Sequence, residues 1–396
     1  MINRTASPQG ARPAVRFAVC NIGFRPFYLL AAAFAAIAIA CWVGQLAGWT
    51  GAYVLVAGPL WHAHEMMFGY AFAVLTGFLF TAVRNWADKP TPAGWTLALI
   101  VALWLAGRVL VLTPWPFYAA TTDTAFALAA AAGIGIPLFR SRSRRNYFFV
   151  ALIIGFGAGN LCFYLAMAGW IDVAAERALH FGLDLLLLLM VVMGGRLIPM
   201  FTANAVPGAS PASVRWIDRL AIGGVLALLA ADLMKLPPVA MAITGGLAAI
   251  ANSVRLVLWQ PWHTMRRPML WILHASYGWI AVHLTLRVLA SMALMPISLA
   301  IHALTIGAIG GLTAGMMART SRGHTGRQLI AGKWEIACFM FIQIAAIVRV
   351  FVPVWWPEGY LVAVLVSGVL WTAAFVLLAF TLGPMLLNAR VDGRAG

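Results

Sequence analysis

The chain has 396 residues, of which 63% are hydrophobic and only 10% are charged. Soluble domains are about 45–50% apolar and about 25% charged, so this composition excludes a soluble globular domain, a disordered chain and a nucleic-acid-binding domain. In a membrane protein, the formal net charge of +16 is explained by Lys and Arg in loops on one side of the membrane, without a nucleic-acid partner.

Hydrophobic segments follow one another along the chain, and most of the connections are short. The segments are long enough for α-helices to cross about 30 Å of hydrocarbon, and they lack the alternation of β-barrel strands. The sequence therefore predicts an all-α, polytopic transmembrane bundle of about 12 helices. One transmembrane domain is predicted over 24–384, with tails at 1–23 and 385–396. The predicted spans are 24–47, 60–83, 93–113, 118–139, 147–170, 178–200, 217–234, 238–258, 267–290, 296–318, 332–353 and 359–384.

Basic residues alternate in number from one connection to the next. The connections on one side of the bilayer, together with both tails, hold 20 of the 27 Lys and Arg residues, whereas the other side has only Arg177 and Lys235. Positive residues collect on the cytoplasmic side of membrane proteins, so the N-terminus and the C-terminus are both predicted to be cytoplasmic. The first 23 residues lack an apolar core followed by a cleavage site, so no signal peptide is predicted.

Histidines within the spans give the main functional prediction, because ionisable groups in a membrane are costly. Five of them lie at a similar depth, near the predicted periplasmic face, on four helices. Neutral imidazole binds both haem iron and copper, so their convergence predicts a haem or copper site. For any single one, an interhelical hydrogen bond is the alternative. The five are His62, His64, His180, His283 and His302.

The spacing of these histidines sets limits on such a site. His62 and His64 differ by about 200° around a regular helix, so one helix cannot direct both at one metal ion. Either the segment WHAHEM is locally irregular or the two histidines serve different sites. Glu65 is one turn from His62, and Asp184 is one turn from His180, so each carboxylate is predicted to orient its histidine.

Three arginines lie near the predicted periplasmic ends of spans, where positive charge is otherwise scarce. Arginine binds carboxylates bidentately, so these residues are candidates to bind haem propionates. Pairing with Glu65, Asp123 or Glu358, or snorkelling to the interface, is the alternative. The three are Arg108, Arg287 and Arg349.

Four segments carry recognisable motifs: NIGFRPFYLLAA (21–32), GPLWHAHEMMFGYAFAVLTGFLFTAVRNW (58–86), GGRLIPMFTANAVPG (194–208) and IHALTIGAIGGLTAGMMARTSRGHTGRQL (301–329). Together they resemble the NnrS family, over essentially the whole chain. The resemblance implies a bacterial inner-membrane protein with haem b and copper, linked to nitric-oxide stress and denitrification. Four further motif residues come with it, without an assigned role: Arg196, Arg319, His324 and Arg327.

Combining the two lines of reasoning gives one leading hypothesis. Two of the five histidines hold a b-type haem, and a remaining subset binds copper. The protein would handle nitric oxide or nitrosyl-iron species and give tolerance to nitrosative stress, with a quinol or another redox partner as electron donor. Whether it turns over a substrate stays open. The alternatives are a multi-pass transporter without a redox cofactor and a metal sensor or assembly factor.

Overall fold

The computed structural model describes residues 18–49 and 58–393, and within these two ranges every regular element is helical. This confirms the predicted all-α fold, with twelve continuous helices in the described residues. They are α1 (Phe24–Leu46), α2 (Pro59–Ala87), α3 (Gly94–Leu110), α4 (Pro116–Arg140), α5 (Tyr147–Met167), α6 (Ala175–Ala205), α7 (Arg215–Leu233), α8 (Pro238–Leu258), α9 (Pro268–Ser291), α10 (Ile297–His324), α11 (Lys333–Trp355) and α12 (Tyr360–Leu387).

Ten of these twelve helices are long and apolar enough to cross a membrane. The two exceptions differ in their reasons. Helix α3 has only 17 residues. Helix α7 has 19 residues, but Asp218 and Asp232 lie near its two ends together with basic side chains. The corresponding span predicted from the sequence, 217–234, is close to the lower limit of length for a transmembrane helix.

The predicted tails and one connection fall partly outside the described residues. Of the predicted tail 1–23, only residues 18–23 are described, and of the connection 48–59 only 48–49 and 58–59. At the other end of the chain, α12 continues to Leu387, three residues beyond the predicted boundary of the transmembrane domain.

Backbone hydrogen bonds bring several helix termini to one end of the bundle. Ala18 N donates to Leu387 O over 3.2 Å, and Gly94 N donates to Cys20 O over 2.7 Å. The start of α1, the start of α3 and the end of α12 therefore lie together, at what we call the terminal end. Helices α2, α6 and α10 begin at the opposite end, and each carries a histidine within its first two turns.

Helix α2 lies at the centre of this arrangement, and 83% of its most apolar stretch is buried. Glycines on α2 allow the close packing. A Cβ atom on Gly77 would lie 2.8 Å from Phe27 Cβ, and one on Gly69 would lie 3.2 Å from Arg108 Nη1. The small-residue face of α2 thus accommodates the close approach of α1 and α3.

Candidate functional site

A cavity of about 570 Å³ lies between helices at the opposite end of the bundle. We call it the first cavity. Its walls are mostly apolar and include the aromatic rings of Trp42, Tyr70 and Trp371. Such an enclosure with a few convergent polar groups is typical of a cofactor site. The nitrogen-bearing side chains among its lining residues include His62, His180, His302 and Arg349.

The two helices that supply His62 and His302 both depart from α-helical geometry beside these residues. Helix α2 is π-helical over Glu65–Ala71, and α10 is π-helical over Ala303–Gly310. Such segments are rare and are frequently found at functional sites. One of the two alternatives for the segment WHAHEM was a local irregularity of the helix. The π-helical segment begins only after His64, so His62 and His64 still face different neighbours.

Both of these cavity histidines have a ring nitrogen that is available to a ligand. His302 Nδ1 lies 2.7 Å from Ser298 O. A carbonyl oxygen only accepts, so Nδ1 donates the hydrogen and Nε2 keeps its lone pair. The His62 ring stacks on Trp42, with centroids 5.2 Å apart and planes 7° apart. Its Nδ1 is buried and has no hydrogen-bond partner among the described residues.

Arg349 also lines the first cavity, as does Glu176, and one of the guanidinium nitrogens of Arg349 has no partner among the described residues. The residue is 4% exposed, and its Nη2 donates to the Tyr360 hydroxyl over 3.0 Å. Nη1 is buried without a partner among the described residues. The predicted alternative, pairing with Glu358, is not found there, and Glu358 is exposed. An unpaired guanidinium at this depth is costly unless a ligand supplies the opposite charge.

Arg108 differs, because the protein already supplies its counterions. Nη1 donates to Glu65 Oε1 over 2.6 Å, and Nη2 donates to Asp123. The predicted pairing of Arg108 with protein carboxylates is therefore the one present, and each terminal nitrogen has a carboxylate partner within the protein. Glu65 binds this guanidinium instead of orienting His62, which corrects the predicted contact. A charged donor binds a carboxylate more strongly than neutral imidazole does.

His64 belongs to the same buried network. Its Nδ1 lies 2.8 Å from Glu65 Oε1, and its Nε2 lies 2.8 Å from Asn160 Oδ1. The Asn160 amide nitrogen faces Asp123 at 3.3 Å, so its oxygen faces the imidazole. Both ring nitrogens of His64 therefore have a polar partner within the protein, so this histidine belongs to the buried network and not to the first cavity. We refer to Arg108, Glu65, His64, Asp123, Asn160 and Tyr164 as the Arg108 network.

A second cavity, of about 380 Å³, adjoins the first, and His180, Leu183 and Ile301 line both. Arg287 lies in its wall. Nη1 of Arg287 donates to Asp184 Oδ1 over 2.6 Å, and Nη2 donates to Asp232. Like Arg108, this arginine is paired within the protein. Asp184 binds it instead of orienting His180, which corrects the second predicted carboxylate–histidine contact.

His283, the last of the five histidines, lines only the second of these two cavities. The structure thus divides the predicted ligand set: His62 and His302 share the first cavity, His180 touches both, and His64 lies in the Arg108 network. Within the described residues, no three His, Cys, Asp or Glu side chains form a group that could hold a metal ion.

The four motif residues without an assigned role lie away from the first cavity, in the half of the bundle that ends at the terminal end. Arg319 stacks over Phe201, with its guanidinium carbon 3.9 Å from the ring centroid. The rings of His324 and Phe24 lie 5.4 Å apart. These contacts are packing contacts between helices. The four are Arg196, Arg319, His324 and Arg327.

Sequence reasoning missed several residues that complete these sites. Asn160 had a readable signal, since it is a lone amide in an apolar span. Tyr164 and Tyr360 had none, because an aromatic residue near the end of a span is typical of any membrane helix. Only the packing of α4 on α5, and of α11 on α12, shows which polar groups they meet.

A twelve-helix bundle with ten helices of membrane-spanning length, and a cavity lined by three histidines and Arg349, defines a polytopic membrane protein with a candidate ligand site. The family model described as NnrS protein matches residues 18–390, and the chain belongs to this NnrS family. The resemblance noted in the sequence is thereby confirmed. No curated protein matches the chain.

Proposed function

We propose that this protein binds a b-type haem in the first cavity and acts in the bacterial response to nitric oxide. The observation that carries the proposal is the convergence of His62, His302 and Arg349 on one cavity. Two uncommitted imidazole nitrogens match the axial demands of haem iron, and an unpaired guanidinium matches a propionate. Membership of the NnrS family supports the link to nitric oxide.

The residues around the cavity have separate tasks in this proposal. His62 and His302 would hold the iron from α2 and α10. The Ser298 carbonyl fixes the tautomer of His302, so that Nε2 is the ligating atom. Arg349 would neutralise a propionate, and the apolar walls exclude water. When bound, haem would supply redox chemistry and, if only one of these two histidines holds the iron, a binding site for nitric oxide.

Copper binding stays a prediction from the family resemblance. His180 and His283 are the predicted ligands that share a cavity, the second one. The described residues contain no group of three or more His, Cys, Asp or Glu side chains that could hold a metal ion.

Removing either cavity histidine is expected to deplete haem. Purified His62→Ala and His302→Ala should each retain about tenfold less haem per protein than the wild type, because each loses an axial ligand. The absorbance ratio at the Soret band and at 280 nm measures this. His263→Ala, at an exposed loop histidine, is the matched control and should keep its haem.

Three results would contradict the proposal. Full haem retention in both variants would remove the assignment of the first cavity. A haem spectrum unchanged by nitric oxide would remove the role in binding the gas. A wild-type protein without any Soret band would return a transporter without a redox cofactor to first place.

We also propose that the protein lies in the bacterial inner membrane with both termini in the cytoplasm. The support is the concentration of Lys and Arg at the terminal end. A green fluorescent protein fused after residue 393 should fluoresce, and alkaline phosphatase at that position should be inactive. Fusions after Leu236, in the turn between α7 and α8, should show the reverse. The same result at both positions would contradict this topology.

A further inference from the structure

Two of the side chains that line the second cavity carry a buried hydrogen-bond acceptor without a donor among the described residues. His283 Nδ1 donates to Ala300 O over 2.8 Å, so Nε2 carries the lone pair. Asp184 uses Oδ1 for Arg287, which leaves Oδ2. Both Nε2 and Oδ2 are buried without a partner among the described residues, and each residue is only 3% exposed.

The charges around this cavity favour a neutral occupant. Asp184 and Asp232 are balanced by Arg287 and Lys235, all four of which line the cavity, so their formal charges sum to zero. A divalent cation would add two uncompensated charges at a depth where charge is costly. A neutral molecule that donates two hydrogen bonds would satisfy both acceptors without changing the balance. Leaving each buried acceptor unpaired is unfavourable, because neither water nor the protein replaces its lost hydrogen bonds.

The size of the second cavity and its other lining residues further restrict the chemical class of its ligand. Leu183, Met241 and Ile301 provide apolar surface beside the two acceptors. Leu236 and Ile297, which are 38% and 45% exposed, also line the cavity, so it extends to the outer surface of the bundle. A volume of about 380 Å³ is ample for a substituted single ring. An apolar ring with two hydroxyl donors, entering from the membrane, fits all of these features.

We propose that the second cavity binds the headgroup of a membrane hydroquinone, whose two hydroxyls donate to Asp184 Oδ2 and His283 Nε2. The shared wall formed by His180, Leu183 and Ile301 places this headgroup next to the first cavity. The binding stands on the second cavity alone. Only its purpose, a supply of electrons to the neighbouring site, rests on the proposed function.

Three matched ligands test the requirement for donors. Anaerobic isothermal titration calorimetry of the purified full-length protein should show decylubiquinol binding about tenfold more tightly than decylubiquinone. The dimethyl ether of decylubiquinol has the same ring without hydroxyl hydrogens, and it should bind as weakly as the quinone. Equal affinities for the three ligands would overturn the proposal, because they would show that no acceptor pair selects a donor.

Variants test the two acceptors. Asp184→Asn keeps the side-chain volume and an oxygen for Arg287, and it should weaken decylubiquinol binding about tenfold. His283→Leu should do the same. The matched control is Asp172→Asn, at an exposed aspartate in the connection between α5 and α6 that lines neither cavity, and it should change affinity less than about threefold.

Other outcomes separate this proposal from the previous one. Unchanged decylubiquinol affinity in Asp184→Asn would overturn it even if His283→Leu failed to fold. Stoichiometric copper that is present in the wild type and lost in His283→Leu would assign the cavity to a metal ion and overturn it as well. Absence of haem in the wild type would contradict the proposed function and would leave the calorimetric result valid.

Discussion

Replacing Arg108 by Leu is expected to produce the largest loss of stability of any substitution proposed for this protein. The change leaves Glu65 and Asp123 as buried carboxylates, 0% and 2% exposed, without their shared cation. Breaking a buried pair on one side typically costs about 3–5 kcal/mol. Thermal unfolding of the detergent-purified protein should show a lower midpoint, and the yield of monodisperse protein should fall.

Two companion variants separate lost charge balance from lost packing. Arg177→Leu removes an exposed arginine near the same end of the bundle and should leave the midpoint unchanged. Adding Glu65→Gln and Asp123→Asn to Arg108→Leu neutralises the carboxylates and should recover part of the loss. A triple variant no more stable than the single one would contradict this explanation, and so would a single variant as stable as the wild type.

The local sequence shows how α3 and α4 accommodate this ion pair. Gly107 precedes the arginine, and a Cβ atom at that position would collide with Asp123 Oδ1. A side chain there would therefore push α4 away and break the contact between Arg108 and Asp123. The glycine allows the close approach of the two helices, and the charges stabilise it once formed.

The helices themselves could be predicted well from the sequence. Each predicted span overlaps one observed helix, because lipid leaves the backbone no alternative to internal hydrogen bonds. The ends of the helices were predicted less accurately. The span predicted over 60–83 corresponds to a helix over Pro59–Ala87, and the span predicted over 296–318 corresponds to a helix over Ile297–His324. Both helices continue beyond the predicted span at the terminal end of the bundle. Polar and basic side chains there interrupt the apolar run, so a count of apolar residues ends the span before the helix ends.

The partners of individual side chains were harder to predict from the sequence than the helices were. Arg108, Arg287 and Arg349 looked equivalent in sequence, yet only Arg349 lacks a carboxylate among the described residues. Periodicity gives the face of a helix on which a residue lies, but the rotation of that face depends on the neighbouring helices. The π-helical segments after His64 and His302 alter this rotation further, because each turn holds more residues than in an α-helix.

The five histidines predicted to form one group also divide between different surroundings in the structure. Depth correctly placed His62 and His302 at the same end of the bundle, and the structure brings both to one cavity. Depth alone also grouped His64 with them. The partners of His64 in the structure are Asn160 and Glu65, on a different side of α2 from the first cavity. The two-residue spacing between His62 and His64 had indicated that they point in different directions. Whether the histidines form one site or two depends on the residues of the neighbouring helices, which the sequence alone does not identify.

Arg349→Leu is expected to have opposite effects on the haem-free and the haem-loaded protein. Without haem, the buried guanidinium has only the Tyr360 hydroxyl as a polar partner among the described residues. Desolvation of an unpaired buried charge costs several kcal/mol, so replacing it by an apolar side chain should stabilise the haem-free protein. The melting midpoint of protein purified from haem-deficient cells should therefore rise.

The haem-loaded form should respond in the reverse direction, because a propionate would lose its cation. Transfer of haem from the variant to apomyoglobin should be about tenfold faster than from the wild type. Arg349→Lys is the matched control: it keeps the charge without the bidentate geometry, so it should lose haem at an intermediate rate and gain no stability. A haem-free Arg349→Leu protein that melts below the wild type would show that the guanidinium is satisfied without a ligand. Unchanged haem transfer would remove Arg349 from the binding site.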